Sequence, residues 1–155
     1  MSTKILMVCL GNICRSPLAD GILSQLAQEA GLDLIVDSAG TSAYHIDEQP
    51  DQRTQENARS HGYDLSHLRA RQFTQSDFDE FDYIYAMDAD NYNNIKKLAR
   101  NESDMTKVDL LLNESHPGEN RRVPDPYFGG DQGFENVFQM VHQACEVIIK
   151  KHQDA

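Results

Sequence analysis

The chain has 155 residues, with 14 Lys and Arg against 25 Asp and Glu, a formal net charge of −11. That length suits one domain spanning 1–155 with a core of its own, and the acidic balance argues against nucleic acid or an anionic membrane as partner. The start shows no signal-peptide pattern, no apolar run approaches membrane-spanning length, and three cysteines without zinc-type C-x2-C spacing fit a reducing cytoplasm.

Lys4-Ile5-Leu6-Met7-Val8 is a short apolar run that reads as a buried strand. Cys9 closes it, and Leu10-Gly11-Asn12-Ile13-Cys14-Arg15 leads to Ser16-Pro17. Ser is a favoured N-cap and Pro fits the first helical position, so a helix is expected from Ser16. A helix N-terminus offers free backbone N–H groups and a partial positive charge, which together hold an anion. The same field, with Arg15 beside it, favours the thiolate form of Cys9 and makes it a nucleophile. Arg15 adds a planar fork of donors that matches two phosphate oxygens. Cysteine, five residues, arginine and serine thus describe a phosphate cradle with a nucleophile at its floor.

The helix from Ser16 puts Leu18, Ile22, Leu23, Leu26 and Ala27 near one face and stops at Gly31. Leu34-Ile35-Val36 reads as a second strand, closing with Asp37-Ser38-Ala39-Gly40-Thr41. A loop follows to Pro50 and carries Tyr44. Asp51 to His61 is helix-compatible with Gly62 as its stop, and a short helix is expected over Ser76 to Glu80. Phe81 to Met87 is a third strand, Asp88 caps a helix to about Arg100, and Val108 to Leu112 is a fourth strand. Asn113 to Gly130 is a long loop, of the kind that is often functional. Phe134, Val137, Phe138, Val141, Cys145, Ile148 and Ile149 recur at helical spacing in a last helix, where Cys145 is a core residue. Strands alternating with helices predict an α/β fold, a parallel sheet covered on both faces. Tyr83 and Tyr85 read as packing, the run Asp77 to Glu80 as a solvated face, and the histidines at 45, 61, 116, 142 and 152 form no metal-ligand pattern.

The stretch Cys9 to Pro17 resembles the phosphate loop of low-molecular-weight protein tyrosine phosphatases. Asp125-Pro126-Tyr127 in the long loop, Asp37-Ser38-Ala39-Gly40-Thr41, and more weakly Met87-Asp88, match the same family in order and spacing over essentially the whole chain. The resemblance implies a three-layer fold with a four-stranded parallel sheet of order 2-1-3-4, and a single phosphatase domain without metal or cofactor. It implies catalysis by Cys9, which forms a phosphocysteine, with Arg15 and the loop residues Leu10, Gly11, Asn12, Ile13, Cys14 and Ser16 holding the oxygens. Asp125 protonates the leaving phenolate and then activates water. Ser38 and His67 are expected to support the loop, with Asn12 in a left-handed turn, a conformation that Asn tolerates. Tyr44 and Tyr127 are expected as aromatic walls, with Leu10 and Ile13 at the mouth. Cys14 is expected as a redox partner that traps an oxidised Cys9. Ile13 stands where arginine-phosphatase relatives carry Thr, which favours phosphotyrosine. Phe128 replaces a second tyrosine that many eukaryotic members carry.

The partner implied is a phosphotyrosine protein, a bacterial tyrosine kinase among the candidates, acted on by a cytoplasmic monomer or weak dimer. Thiol-dependent arsenate reduction uses the same loop, yet residues 15 to 144 contain no cysteine for an internal relay. A phosphoprotein-binding module without turnover would not need both Cys9 and Asp125, and an isolated rhodanese-like sulfur carrier would leave the late Asp-Pro-Tyr idle. The G-x4-G-K-[ST] pattern of nucleotide hydrolases is missing.

Overall fold

A computed structural model describes residues 2–154, the side chain of Phe128 excepted, so the expectation placed on that ring lies outside the described residues. The first strand, β1 (Thr3–Cys9), is the spine of the fold. Its residues alternate between two apolar faces: Ile5, Met7 and Cys9 point to one, Leu6 and Val8 to the other, and all five are buried. Burial on both faces is what a continuous apolar run buys in a parallel sheet. The helix α1 (Arg15–Glu29) follows directly and buries Leu18, Ile22, Leu23 and Ala27, with Leu26 only partly covered. Gly31, at φ 68°, supplies the left-handed stop.

The second strand, β2 (Leu34–Gly40), pairs in parallel with β1, from Thr3 opposite Leu34 to Cys9 opposite Gly40. Next come α2 (Gln52–Ser60), α3 (Asp77–Glu80) and β3 (Tyr83–Ala86). Asp51 caps α2 by accepting from the Arg53 and Thr54 N–H groups at 2.9 and 3.4 Å. The chain continues through α4 (Ala89–Leu98), α5 (Glu102–Met105), β4 (Val108–Leu110) and α6 (Gly130–Gln153). The sheet is all parallel in the order β2-β1-β3-β4. One core lies between the sheet and α1, α2 and α6; the other gathers Leu6, Val8, Phe73, Phe78, Ile84 and Ile95 on the opposite face. Each such side chain contributes about 1.5–3 kcal/mol over leaving it in water.

Three elements differ from the sequence expectation. The third strand is shorter than Phe81 to Met87, because the Phe81 N–H closes α3 on Asp77 O and Asp82 N–H bonds Lys4 O. The fourth strand stops at Leu110 and turns into a 3-10 segment, Leu111–Asn113, which keeps both leucines buried. The helix α5 was not anticipated; the Asn101 side chain caps it by accepting from Asp104 N–H at 3.0 Å. Among the described residues no helix is long and apolar enough to cross a membrane.

In an open parallel sheet, ligands bind beyond the carboxyl ends of the strands where the strand order reverses. Here that point lies between β1 and β3, whose carboxyl ends lead into Leu10 and Met87.

Candidate active site

The loop after β1 is shaped by a few local constraints. Cys9 is buried at the strand end, and the chain turns back over it at Asn12, whose φ is 56°. The Asn12 N–H then points at the Cys9 Sγ from 3.3 Å. Ser16 Oγ stands 3.0 Å from the same sulfur, and its hydroxyl donates to Asn12 Oδ1 at 2.8 Å. The helix starts one residue earlier than expected, at Arg15, with Cys14 in the capping position. Ser16 is therefore not the cap: its hydroxyl is engaged by the loop it stiffens. Gly11, Ile13, Cys14, Arg15 and Ser16 have no backbone acceptor for their N–H groups among the described residues. These free donors belong to the loop between the sulfur and the positive end of a 15-residue helix.

The neighbouring strand sets the curvature. Thr41 and Ser42 N–H groups bond Cys9 O and Leu10 O at 3.0 and 2.9 Å, clamping the loop to the end of β2. Gly40 makes this approach feasible, since a Cβ there would meet Leu10 O at 2.7 Å and Asn12 N at 3.1 Å.

Arg15 is fixed from the other side of the switch point. One terminal nitrogen donates to Asp88 Oδ2 at 2.6 Å and to Val123 O at 2.9 Å. Asp88 holds this place because its other oxygen caps α4 through the Asn91 N–H, at 2.8 Å. Burial works against the arginine charge, yet Cys9, Asp88 and Asp125 more than offset it and raise its pKa. The sequence reading took Asp88 as a helix cap; the structure gives it that role and a second one, orienting Arg15.

The long loop delivers Asp125. Its Oδ1 accepts from Tyr127 N–H at 3.1 Å, which sets the start of the 3-10 turn Pro126–Phe128. A cavity of about 110 Å³ is lined by Cys9, Ile13, Cys14, Arg15, Asp125 and Tyr127 together with Leu10, Gly11 and His45. The Tyr127 hydroxyl donates to Asp51 Oδ2 at 3.2 Å, and the Arg53 guanidinium lies over its ring at 5.1 Å. Burial pushes the Cys14 thiol up to about 11, so that at neutral pH it stays protonated and uncharged beside Cys9.

Three of the expected site residues are placed differently. Tyr44 is 84% exposed and does not line the cavity; His45 does, with its ring against Gly11 and its Nδ1 2.8 Å from Glu48 Oε2. Tyr44 is carried outward because the turn aims the adjacent residue inward. His67 is exposed and makes no hydrogen bond to Cys9, Asn12 or Ser16 among the described residues, so it does not support the loop. Ser38 is buried, but its hydroxyl bears on the Asp20 carboxyl and not on Asn12.

Asp20 itself was missed, since nothing in the sequence marks a carboxylate four residues past Ser16 as buried. It is 3% exposed, and burial raises its pKa to about 7, with Ser24, Ser38 and Arg71 opposing the shift and Asp37 adding to it. A raised folded-state pKa means stability that is fully present below the ordinary carboxyl range and lost as pH climbs through about 7. Asp20→Asn should therefore gain on the parent protein as pH rises from 4 to 8, by on the order of 4 kcal/mol in unfolding free energy. Chemical denaturation of both proteins at each pH measures it; a difference that stays constant would mean that Asp20 titrates as an ordinary carboxylate.

Chemically, the site presents a thiol that receives the Asn12 N–H, a cation held in place by two acceptors, and a carboxyl group lining the same cavity. That set can bind a tetrahedral oxyanion, attack its centre and exchange a proton with the group that leaves.

Comparison with known proteins agrees with this chemistry. A family profile described as "Low molecular weight phosphotyrosine protein phosphatase" matches residues 4–154. A putative low molecular weight protein-tyrosine-phosphatase of Synechocystis is 47% identical over 146 residues, covering 92% of this chain and 91% of the relative. The crystal structure of a protein tyrosine phosphatase from Entamoeba histolytica, with Hepes in its active site, superposes with a TM-score of 0.90 at 39% identity, over 99% of this chain and 98% of the other. YfkJ from Bacillus subtilis gives a TM-score of 0.90 at 38% identity, over 99% and 96%.

Proposed function

The chain belongs to the low molecular weight phosphotyrosine protein phosphatase family, and from that premise we propose that it hydrolyses phosphotyrosine and aryl phosphate monoesters through a phosphocysteine. The observation that carries this reading is that Cys9, Arg15 and Asp125, 116 positions apart from first to last, line one small cavity. The Cys9 thiolate attacks phosphorus, the S–P bond forms and the P–O bond to the phenol breaks. Asp125 gives its proton to the departing oxygen. Asp125, now a carboxylate, takes a proton from water; the resulting oxygen attacks phosphorus, the S–P bond breaks, and phosphate leaves with the thiolate restored. Arg15 and the loop N–H groups hold the three equatorial oxygens throughout, a task for which Asp88 and Val123 O have already fixed the guanidinium. Ile13 and Tyr127 flank the space for the ring. The substrate is a phosphotyrosine-bearing protein, and neither metal nor cofactor has a step in this scheme.

The test is to trap the intermediate. Acid quenching within the first turnovers on a phosphotyrosine peptide labelled in its phosphoryl group, in EDTA, should leave label on the protein at Cys9. Phosphate release with no protein-bound label, at an enzyme concentration that would show it, would replace the covalent path by direct attack of water.

A further inference from the structure

Beyond the catalytic cavity the molecule has a much larger cleft, of about 930 Å³, which the reaction on the phosphoryl group leaves unused. It shares Leu10, Arg15 and Asp125 with the small cavity, so the two adjoin at these residues. From there it runs along α4. Asp90, Asn93, Asn94 and Lys97 line it at the i, i+3, i+4, i+7 spacing of one helix face, with Lys96 beside them. The side chains it presents from that helix face, Asp90, Asn93, Asn94 and Lys97, are all polar or charged. At its floor Asn91 is 2% exposed, and its side-chain oxygen has no hydrogen-bond partner among the described residues.

Charge distinguishes the two ends. Near the reacting centre stand Asp88, already committed to Arg15, and Asp90. At the far end Lys96 and Lys97 are exposed, and neither forms an ion pair among the described residues. In a chain of net charge −11, such a pair of uncompensated cations inside a cleft is a local attraction for an anion that the rest of the surface repels. Lysines in the last turn also suit the helix dipole. That effect concerns stability and does not discriminate between substrates.

We propose that this cleft holds the substrate's own polypeptide on one side of the phosphotyrosine, and that Lys96 and Lys97 select an acidic side chain there. The inference rests on the phosphatase reading given above. Lys97 lies nine positions after Asp88, roughly 14 Å along a helix at 1.5 Å per residue. An extended peptide covers that distance in about four residues. The acidic residue therefore lies about four positions from the phosphotyrosine.

The experiment compares kcat/KM for phosphotyrosine peptides carrying Glu or Lys three to five positions before or after the phosphotyrosine. The enzymes are wild type and the double variant Lys96→Glu, Lys97→Glu, with p-nitrophenyl phosphate as a substrate that has no flanking chain. Wild type should favour Glu over Lys at one of these placements by roughly fivefold at low salt, with the preference shrinking as salt rises. The double variant should reverse the preference, and Lys96→Gln, Lys97→Gln should erase it should the reversed charges disturb folding. An unchanged Glu-to-Lys ratio in variants that still hydrolyse p-nitrophenyl phosphate would overturn the assignment of the cleft. Absence of turnover by wild type on every substrate would overturn the phosphatase reading itself, which is a separable result.

Discussion

Cys9→Ser abolishes phosphate release from a phosphotyrosine peptide, lowering kcat by roughly 10⁴-fold or more while the protein stays folded. The size follows from what is lost. A serine hydroxyl at the same place is close in volume and keeps the contacts with Asn12 N–H and Ser16 Oγ, so the loop retains its shape. It remains protonated, though, because a hydroxyl is a far weaker acid than a thiol: the Asn12 N–H points at it, while the neighbouring Ser16 hydroxyl gives its own proton to Asn12 Oδ1. The variant is also expected to keep binding phosphotyrosine peptide, because the loop N–H groups and Arg15 are untouched. Calorimetric titration alongside a turnover assay separates the two effects. Turnover by Cys9→Ser within tenfold of wild type would remove Cys9 from the mechanism.

Asp125→Asn is the second large effect, a fall in kcat of roughly 10²- to 10³-fold on phosphotyrosine. Asparagine keeps the acceptor that Asp125 offers to Tyr127 N–H, so the turn at Pro126 survives and the change is confined to proton transfer. The loss should depend on the leaving group: large for a tyrosyl oxygen, much smaller for p-nitrophenolate, which departs readily without a proton. Equal losses on both substrates would assign Asp125 a positional task instead of a proton.

The parts of the site that could be read from the sequence are those in which chemistry is local. Cys9 through Ser16 is one contiguous loop, and its type of residue at each position states the task before any fold is known. Asp125 could be linked to it only through resemblance, since a distance of 110 residues from Arg15 carries no spacing information. The buried face of α6 was legible for a related reason, as strong periodicity leaves few alternatives, whereas the sheet order, like Asp125, came only through resemblance. What escaped was tertiary. Asp88 has an ample local explanation as a cap, and that explanation hides its contact with Arg15, 73 positions away. Tyr44 and His45 are adjacent in a loop, where one residue's difference in backbone direction decides which ring faces the cavity. Asp20 has no sequence mark at all, because burial of a carboxylate is decided by β2 and the segment at Arg71 packing over α1.

The glycine at the end of β2 bears on how such proteins are recognised as live or dead. Every reacting group of the loop lies between positions 9 and 16, yet the shape that aligns them leans on position 40, where even a methyl group would press on Leu10 O and Asn12 N. A relative with that octet intact and a bulky residue at 40 would score as a full enzyme in a motif search. It would possess all the chemistry and none of the alignment. Surveys for degenerate family members should therefore weigh this silent position, remote in sequence and without any reactive atom, as heavily as the nucleophile.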